Sequence, residues 1–137
     1  MASQPAEQRQ AWDLLAGTAT WASHLKALRV EGGDVSVAQL SRLLAKGRRC
    51  RELWLSRCTF IEVELWVWLG SGWEGSASLQ ILGVMRCGGL LGQHALDAIG
   101  ELRQLRFLSL QGTLGVDKDV IERLNHDLWD IPELVLP

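Results

Sequence analysis

Leu79-Gln-Ile-Leu82-Gly-Val84 is the stretch of sequence that decides the fold of this chain. Its spacing, L-x-x-L-x-L, recurs as Leu105-Arg-Phe-Leu108-Ser-Leu110. It also recurs as Leu25-Lys-Ala-Leu28-Arg-Val30, Cys50-Arg-Glu-Leu53-Trp-Leu55 and Ile131-Pro-Glu-Leu134-Val-Leu136. The first residues of the five copies lie 25, 29, 26 and 26 residues apart. A unit that recurs at a nearly constant interval predicts a repeat protein, in which each unit stacks on the next.

Intervals of this length are typical of leucine-rich repeats, so the predicted fold class is α/β. We expect a short solenoid of four repeats plus a terminal strand, with a parallel sheet on the concave side and helices on the convex side. The expected strands lie near residues 25–30, 50–55, 79–84, 105–110 and 131–136. The alternative is a generic α/β domain in which the leucine spacing is a coincidence.

Each segment between two strands is expected to contain a helix. Ser36 and Gln39 form a capping-box pattern ahead of an apolar run, and Gly47 is a stop signal. Residues 93–99 and the residues after Asp117 also have helical spacing. Residues 5–16 predict an amphipathic helix that covers the first repeat. The chain is thus divided into an N-terminal helical cap (residues 1–20) and a repeat domain (residues 21–137).

Residues 61–73 fit two structures. Their first half alternates apolar and polar residues, which is a strand signature, but the repeat register favours a helix. Trp66, Trp68 and Trp73 fall within this short segment. At ~100° per residue, Trp66 and Trp68 cannot share one inward helix face. We therefore expect a surplus indole on the convex surface that is buried against a neighbouring chain.

The ninth position of each repeat holds a small residue that fits inside the turn after the strand: Gly33, Cys58, Cys87 and Thr113. Cysteine at this position is typical of the cysteine-containing class of repeats found in F-box proteins. Cys58 and Cys87 should be close neighbours because they occupy equivalent positions of adjacent repeats. With Cys50, the three cysteines form an odd set without a C-x-x-C pair, so we expect buried, reduced thiols and no metal site.

Composition and charge exclude several classes of protein. A chain of 137 residues is one domain by length, and its 14 Lys and Arg against 16 Asp and Glu give a net charge of −2. Nucleic-acid binders depend on clustered positive charge, so no nucleic-acid partner is expected. No apolar stretch is long enough for a transmembrane segment. The first residues lack a hydrophobic signal core and contain Glu7 and Asp13, which predicts a soluble, intracellular protein.

The residues that carry chemistry do not form a catalytic pattern. His24, His94 and His126 lie in different segments, and no nucleophile, phosphate-binding or zinc-protease motif is present. We therefore predict that the protein is not an enzyme and has no cofactor. A basic cluster at residues 46–51 has two interpretations: a solvated rim that complements a helix C-terminus, or a site for an acidic partner or anionic lipid.

The concave face is the predicted binding surface. Residues three, five and seven of each copy should point away from the core, which places apolar side chains at the centre and charged ones, among them Arg29 and Glu31, at the rim. The predicted partner-binding residues are Trp54, Ile81, Met85, Phe107, Arg57 and Arg86 here, with Trp66 and Trp68 on the convex side. A terminal segment folded back over this face is the alternative. The edge of the strand at Ile131–Leu136 is a third docking option.

From Cys50 onward the sequence resembles the family of mitochondrial ATP synthase coupling factor B and the distal membrane arm assembly protein of respiratory complex I. The resemblance is carried by residues 55–61 (LSRCTFI), 82–90 (LGVMRCGGL), 98–110 (AIGELRQLRFLSL) and 114–117 (LGVD), and by the closing IPEL at 131–134. It implies a non-catalytic accessory subunit or assembly factor that binds protein subunits at the periphery of a mitochondrial membrane complex. The first part of the chain shows no such match. An F-box-type recognition module is the alternative, with a cytoplasmic location.

Overall fold

The fold is a five-stranded parallel sheet with a helical segment between each strand and the next. The computed structural model describes residues 26–32, 35–45, 50–87 and 91–137. The strands follow one another across the sheet in chain order, and every neighbouring pair is parallel. The chain is therefore α/β, and the predicted parallel pairing of the first two strands is confirmed.

The strands are β1 (Ala27–Glu31), β2 (Glu52–Ser56), β3 (Ile81–Met85), β4 (Phe107–Ser109) and β5 (Glu133–Val135). The α-helices are α1 (Val37–Leu44), α2 (Glu62–Val67), α3 (Gln93–Glu101) and α4 (Lys118–Leu124). Wider π-helical turns extend α2 over Trp68–Gly72 and α4 over Asn125–Trp129, and a 3-10 helix spans Glu74–Ser78.

The register of the sheet follows the spacing of the repeated sequence. The fourth residues of the five copies lie side by side across the sheet: Leu28, Leu53, Leu82, Leu108 and Leu134. The described first and sixth residues of the copies also contribute to the core or pack against it. Each strand begins two residues later than predicted, because the described first anchors reach the core from the turn that precedes the ladder. The apolar residues of each copy thus cover the helical side of the sheet.

The predicted helix caps are confirmed where the structure describes them. The Ser36 hydroxyl accepts a hydrogen bond from the Gln39 backbone N–H, and the Gln39 side chain accepts one from the Ser36 N–H, both at 3.1 Å. This reciprocal pair fixes the start of α1. The Asp117 carboxylate accepts a bond of 2.9 Å from the Asp119 N–H at the start of α4.

Residues 61–73 form a helix and not a strand, as the repeat register predicts. The expectation of a surplus exposed indole is wrong, because Trp66 is 0% and Trp68 is 7% exposed. Residues two apart on a helix point in nearly opposite directions, and α2 has a neighbour on each side. Trp66 lines the contact with α3, while Trp68 lies beside Val37 and Ala38 of α1.

Trp68 is held in place by a second indole. Its ring stacks on that of Trp73, with the centroids 5.1 Å apart and the planes 18° from parallel. The Trp73 indole N–H donates a hydrogen bond of 3.1 Å to the Leu44 carbonyl in the last turn of α1. The longer second repeat therefore buries its tryptophans between helices.

Several sequence predictions fall outside the described residues. These are the N-terminal helical cap, the stop at Gly47, the ninth-position Gly33, and the part of the basic cluster before Cys50. Among the residues that are described, no helix is long and apolar enough to cross a membrane.

Candidate functional site

The side of the sheet opposite the helices is the candidate site, and we call it the open face. It is formed by residues three, five and seven of each copy, which alternate with the buried anchors along the strands. In β2 this alternation is strict: Leu53 and Leu55 are fully buried, whereas Glu52, Trp54 and Ser56 are partly exposed. No described helix covers this side of the sheet.

Trp54 forms the centre of the open face. Its indole lies across the neighbouring strand at Gly83, where a Cβ atom would overlap the ring. The indole thereby reaches Phe107 on β4, with ring centroids 5.7 Å apart and planes tilted by 48°. Such tilted aromatic pairs are favourable beyond the area they bury. Because Gly83 has no side chain, the Trp54 indole on β2 can extend over β3 and contact Phe107 on β4.

Polar contacts orient the Trp54 indole. The Arg29 guanidinium lies over the ring, 5.0 Å from its centroid, in cation–π geometry. The indole Nε1–H donates a hydrogen bond of 3.4 Å to Glu52 Oε1 on the same strand. The ring is thus supported by three strands and presented with a defined orientation.

A cleft of about 340 Å³ adjoins this aromatic pair, and we call it the Trp54–Phe107 cleft. It is lined by Trp54, Ile81, Arg106, Phe107, Pro132 and Glu133. Its volume is at the lower end of the range for ligand pockets, which suits one large side chain. The structure thus brings together three predicted residues, Trp54, Ile81 and Phe107. Met85 is half-buried at the other end of β3 and does not line the cleft.

Arg57 and Arg86 are exposed, and both have left-handed backbone conformations with φ of 56°. They occupy the eighth position of their copies, where Gly32 and Gly112 have φ of 76° and 71°. A left-handed conformation costs an ordinary L-residue about 1–2 kcal/mol, whereas glycine adopts it freely. Two of the four turns therefore carry an arginine at a position that is better suited to glycine.

Positive charge is concentrated at the two ends of the strands. Between the second and eighth positions of the copies lie six cationic side chains: Lys26, Arg29, Arg51, Arg57, Arg86 and Arg106. The anionic side chains in the same positions are Glu31, Glu52 and Glu133. The other described residues carry four cationic and ten anionic side chains. The two edges of the open face, at the second and eighth positions, are therefore basic, whereas the face itself carries Arg29 against three glutamates.

The ninth-position residues form a ladder inside the turns. The Cys58 and Cys87 thiols lie 3.7 Å from the carbonyl oxygens of Val30 and Leu55, and the Thr113 hydroxyl donates to that of Val84. Each acceptor is the sixth residue of the preceding copy. Cys58 and Cys87 are close neighbours, as predicted. The Cys87 thiol together with burial raises the pKa of Cys58 above its usual range, and the same pairing lowers the pKa of Cys87 to about 7. All three cysteines are free and buried.

The cysteines should therefore be protected from thiol reagents in the folded protein. Burial raises the pKa of Cys50 from 9.0 to about 11, which lowers its thiolate fraction near pH 8 about a hundredfold. We expect Cys50 to react with a disulfide reagent at least that much more slowly than in denaturant, whereas Cys58 and Cys87 are protected by burial alone. Rapid reaction of the native protein would contradict the burial of these residues.

Other titratable groups lie away from the open face. His94 at the start of α3 is 3.2 Å from the Glu62 carboxylate of α2, and the exposed His126 is 3.0 Å from Asp127. The hydrogen bond to Asp127 raises the pKa of His126. Within the described ranges, no cluster of three or more His, Cys, Asp or Glu side chains could hold a metal ion.

The structure also contains features that sequence reasoning missed. Arg106 and Pro132 line the cleft from the second position of their copies, which could have been found by reading that position across the repeats. On the helical side, Val63 and Val67 are 45% and 48% exposed beside a groove between α1 and α2. A larger groove of about 770 Å³ lies between α3 and the π-helical turn after α4.

Comparison with known proteins returned no relationship: no family model, no curated protein and no solved structure matches the chain. The resemblance to the coupling factor B family therefore remains a prediction from the sequence.

Proposed function

We propose that the chain is a short leucine-rich-repeat solenoid that acts as a non-catalytic scaffold for protein–protein interaction. Support for the repeat interpretation comes from three features that recur from unit to unit. The strands follow chain order, the fourth residues align across the sheet, and the ninth-position side chains contact the preceding unit in the same way. Such solenoids commonly use the face of the sheet for binding.

The observation that carries the binding function is the aromatic centre of the open face. Trp54 and Phe107 are partly exposed and oriented by their neighbours, with Arg29 over the Trp54 ring and Arg106 in the adjoining cleft. Aromatic residues and arginine are enriched at the energetically dominant positions of protein interfaces. We assign partner binding to Trp54, Ile81, Met85 and Phe107, with Arg57 and Arg86 at the rim.

Within this class, we propose an accessory subunit or assembly factor of a mitochondrial energy-converting membrane complex, either ATP synthase or a respiratory complex. This proposal is supported by the resemblance of the sequence, from Cys50 onward, to the coupling factor B family. An F-box-type recognition module is the second candidate, supported by cysteine at two ninth positions. Purification of the tagged protein in mild detergent distinguishes them. Co-migration with a large mitochondrial membrane complex favours the first, and recovery of a ubiquitin-ligase adaptor favours the second.

The partner should be lost when the aromatic centre is removed. We expect Trp54→Ala to reduce recovery of the partner more than tenfold, because central interface aromatics contribute about 2 kcal/mol or more. The matched control is Leu128→Ala, which removes a 73% exposed apolar side chain on the helical side. Circular dichroism verifies that both variants are folded. Equal recovery with Trp54→Ala and the unaltered protein would place the docking surface elsewhere.

A further inference from the structure

We propose that the open face binds an extended acidic segment of a partner protein, and that one large apolar side chain of this segment occupies the Trp54–Phe107 cleft. The proposal rests on the proposed function, since it takes the open face to be the docking surface. It adds the chemistry of the partner, which follows from the charges and shape of this face.

Charge complementarity is the first argument. The two edges of the open face carry five cationic and no anionic side chains among the described residues, whereas the described residues outside the face and its edges are strongly acidic. Arg57, Arg86 and Arg106 form no ion pair with any described residue. Exposed guanidinium groups are suited to bidentate pairing with carboxylates. An acidic segment is therefore attracted to the edges of this face and repelled from the helical side.

The backbone conformation of two of these arginines is the second argument. Arg57 and Arg86 have left-handed φ angles at turns where the equivalent residues are Gly32 and Gly112. An unfavourable conformation that is kept at an exposed position points to a function of the side chain. The two residues follow the carboxyl ends of the adjacent strands β2 and β3, at the edge of the face away from the Trp54–Phe107 cleft. They are thus placed to pair with carboxylates at one end of a segment whose apolar residue occupies the cleft beside Arg106.

The dimensions of the face define the length of the ligand. The face extends from the second to the eighth position of each copy, about 20 Å at about 3.3 Å per residue, which an extended chain follows in about six residues. The cleft, with its volume of about 340 Å³, accepts one large apolar side chain between Trp54, Ile81 and Phe107. The ligand is therefore a short extended segment with an apolar anchor and acidic neighbours.

Two other anionic partners fit less well. Nucleic acids and anionic membranes present a continuous field of phosphates, which is best matched by uninterrupted positive charge. On this face Glu31, Glu52 and Glu133 are interspersed with the cations, and Glu133 lies at the rim of the cleft itself. Alternating charges around an apolar cleft favour a polypeptide.

The experiment selects ligands from a displayed library of random peptides of about twelve residues, using the immobilised full-length protein. We expect selected peptides to be enriched in Asp and Glu around one aromatic or large aliphatic residue. A selected peptide, labelled with a fluorophore, then gives a dissociation constant by polarisation. Its affinity should fall severalfold or more between about 0.05 and about 0.5 M salt.

Variants locate the binding site. We expect Phe107→Ala to weaken the selected peptide at least tenfold, and Arg57→Glu with Arg86→Glu to weaken it by a similar factor. The control is Arg123→Glu on α4, which makes one such charge reversal on the helical side. It should leave the affinity within about twofold, because screening over a Debye length of ~10 Å isolates it from the open face.

The outcomes separate this proposal from the proposed function. Peptides that depend on Phe107 but are basic or uncharged would overturn the acidic ligand and leave the scaffold function standing. Acidic peptides that are insensitive to all open-face variants would overturn the site. Failure to select any peptide, together with binding to phosphatidylserine vesicles that the arginine variants abolish, would replace the peptide with a membrane surface. Absence of any co-purified partner would contradict the proposed function itself.

Discussion

Replacing Trp66 with alanine should lower the free energy of unfolding by about 3–5 kcal/mol, which is a large fraction of the stability of a small domain. Trp66 is fully buried where the segment of α2 and its π-helical turn meets α3. A Cβ atom at the neighbouring Gly70 would lie only 3.0 Å from that of Ala98, so the two elements already touch there. They cannot close further over the missing indole, and the truncation leaves a cavity.

Denaturant unfolding followed by circular dichroism measures this effect. The matched control is Val67→Ala, the next residue along α2, whose side chain is 48% exposed. This variant should lower the free energy of unfolding by less than about 1 kcal/mol. If Trp66→Ala does not fold, Trp66→Phe provides the test, with a smaller loss that still exceeds that of the control. If Trp66→Ala and Val67→Ala lowered the free energy of unfolding equally, the burial of the Trp66 indole would be contradicted.

Replacing Gly115 with alanine should also destabilise the protein severely, by roughly 3 kcal/mol or more. Gly115 has φ of 149°, a conformation that is essentially restricted to glycine. An added Cβ would overlap the carbonyl oxygen of Leu91. Backbone hydrogen bonds on both sides, from Leu91 N–H to Leu114 and from Val116 N–H to Leu91, hold the two chain segments together and prevent them from separating.

The same substitution at Gly100 is the control for Gly115→Ala. Gly100 lies within α3, and an added Cβ would make only an ordinary contact of 3.5 Å with the Trp129 indole. Gly100→Ala should stabilise the protein by about 0.5–1 kcal/mol, because alanine favours the helix. The melting temperatures of the two variants should therefore shift in opposite directions. A Gly115→Ala protein as stable as the unaltered chain would show that this loop does not approach Leu91 so closely.

The sequence alone predicted the features that depend on spacing. The interval between copies predicted parallel strands in chain order, and the alternation within each copy assigned Trp54, Ile81 and Phe107 to one face. Ser36 and Asp117 predicted where helices begin, and the equivalent positions of Cys58 and Cys87 predicted their contact. These features are local or repeated, so the identity and order of residues are sufficient to infer them.

Only the tertiary structure decided how individual side chains and turns are arranged. A helical projection of residues 61–73 assumes one buried face, but α2 is flanked by α1 and α3, which buries both Trp66 and Trp68. The cleft exists because the Trp54 indole crosses Gly83 to reach Phe107, a contact between three separate copies. The left-handed turns at Arg57 and Arg86 follow from the geometry of the stacked strands, against the preference of the residue. Each of these outcomes depends on which surfaces meet in space. Packing between different copies of the repeated sequence decides this, and the spacing of residues within one copy does not.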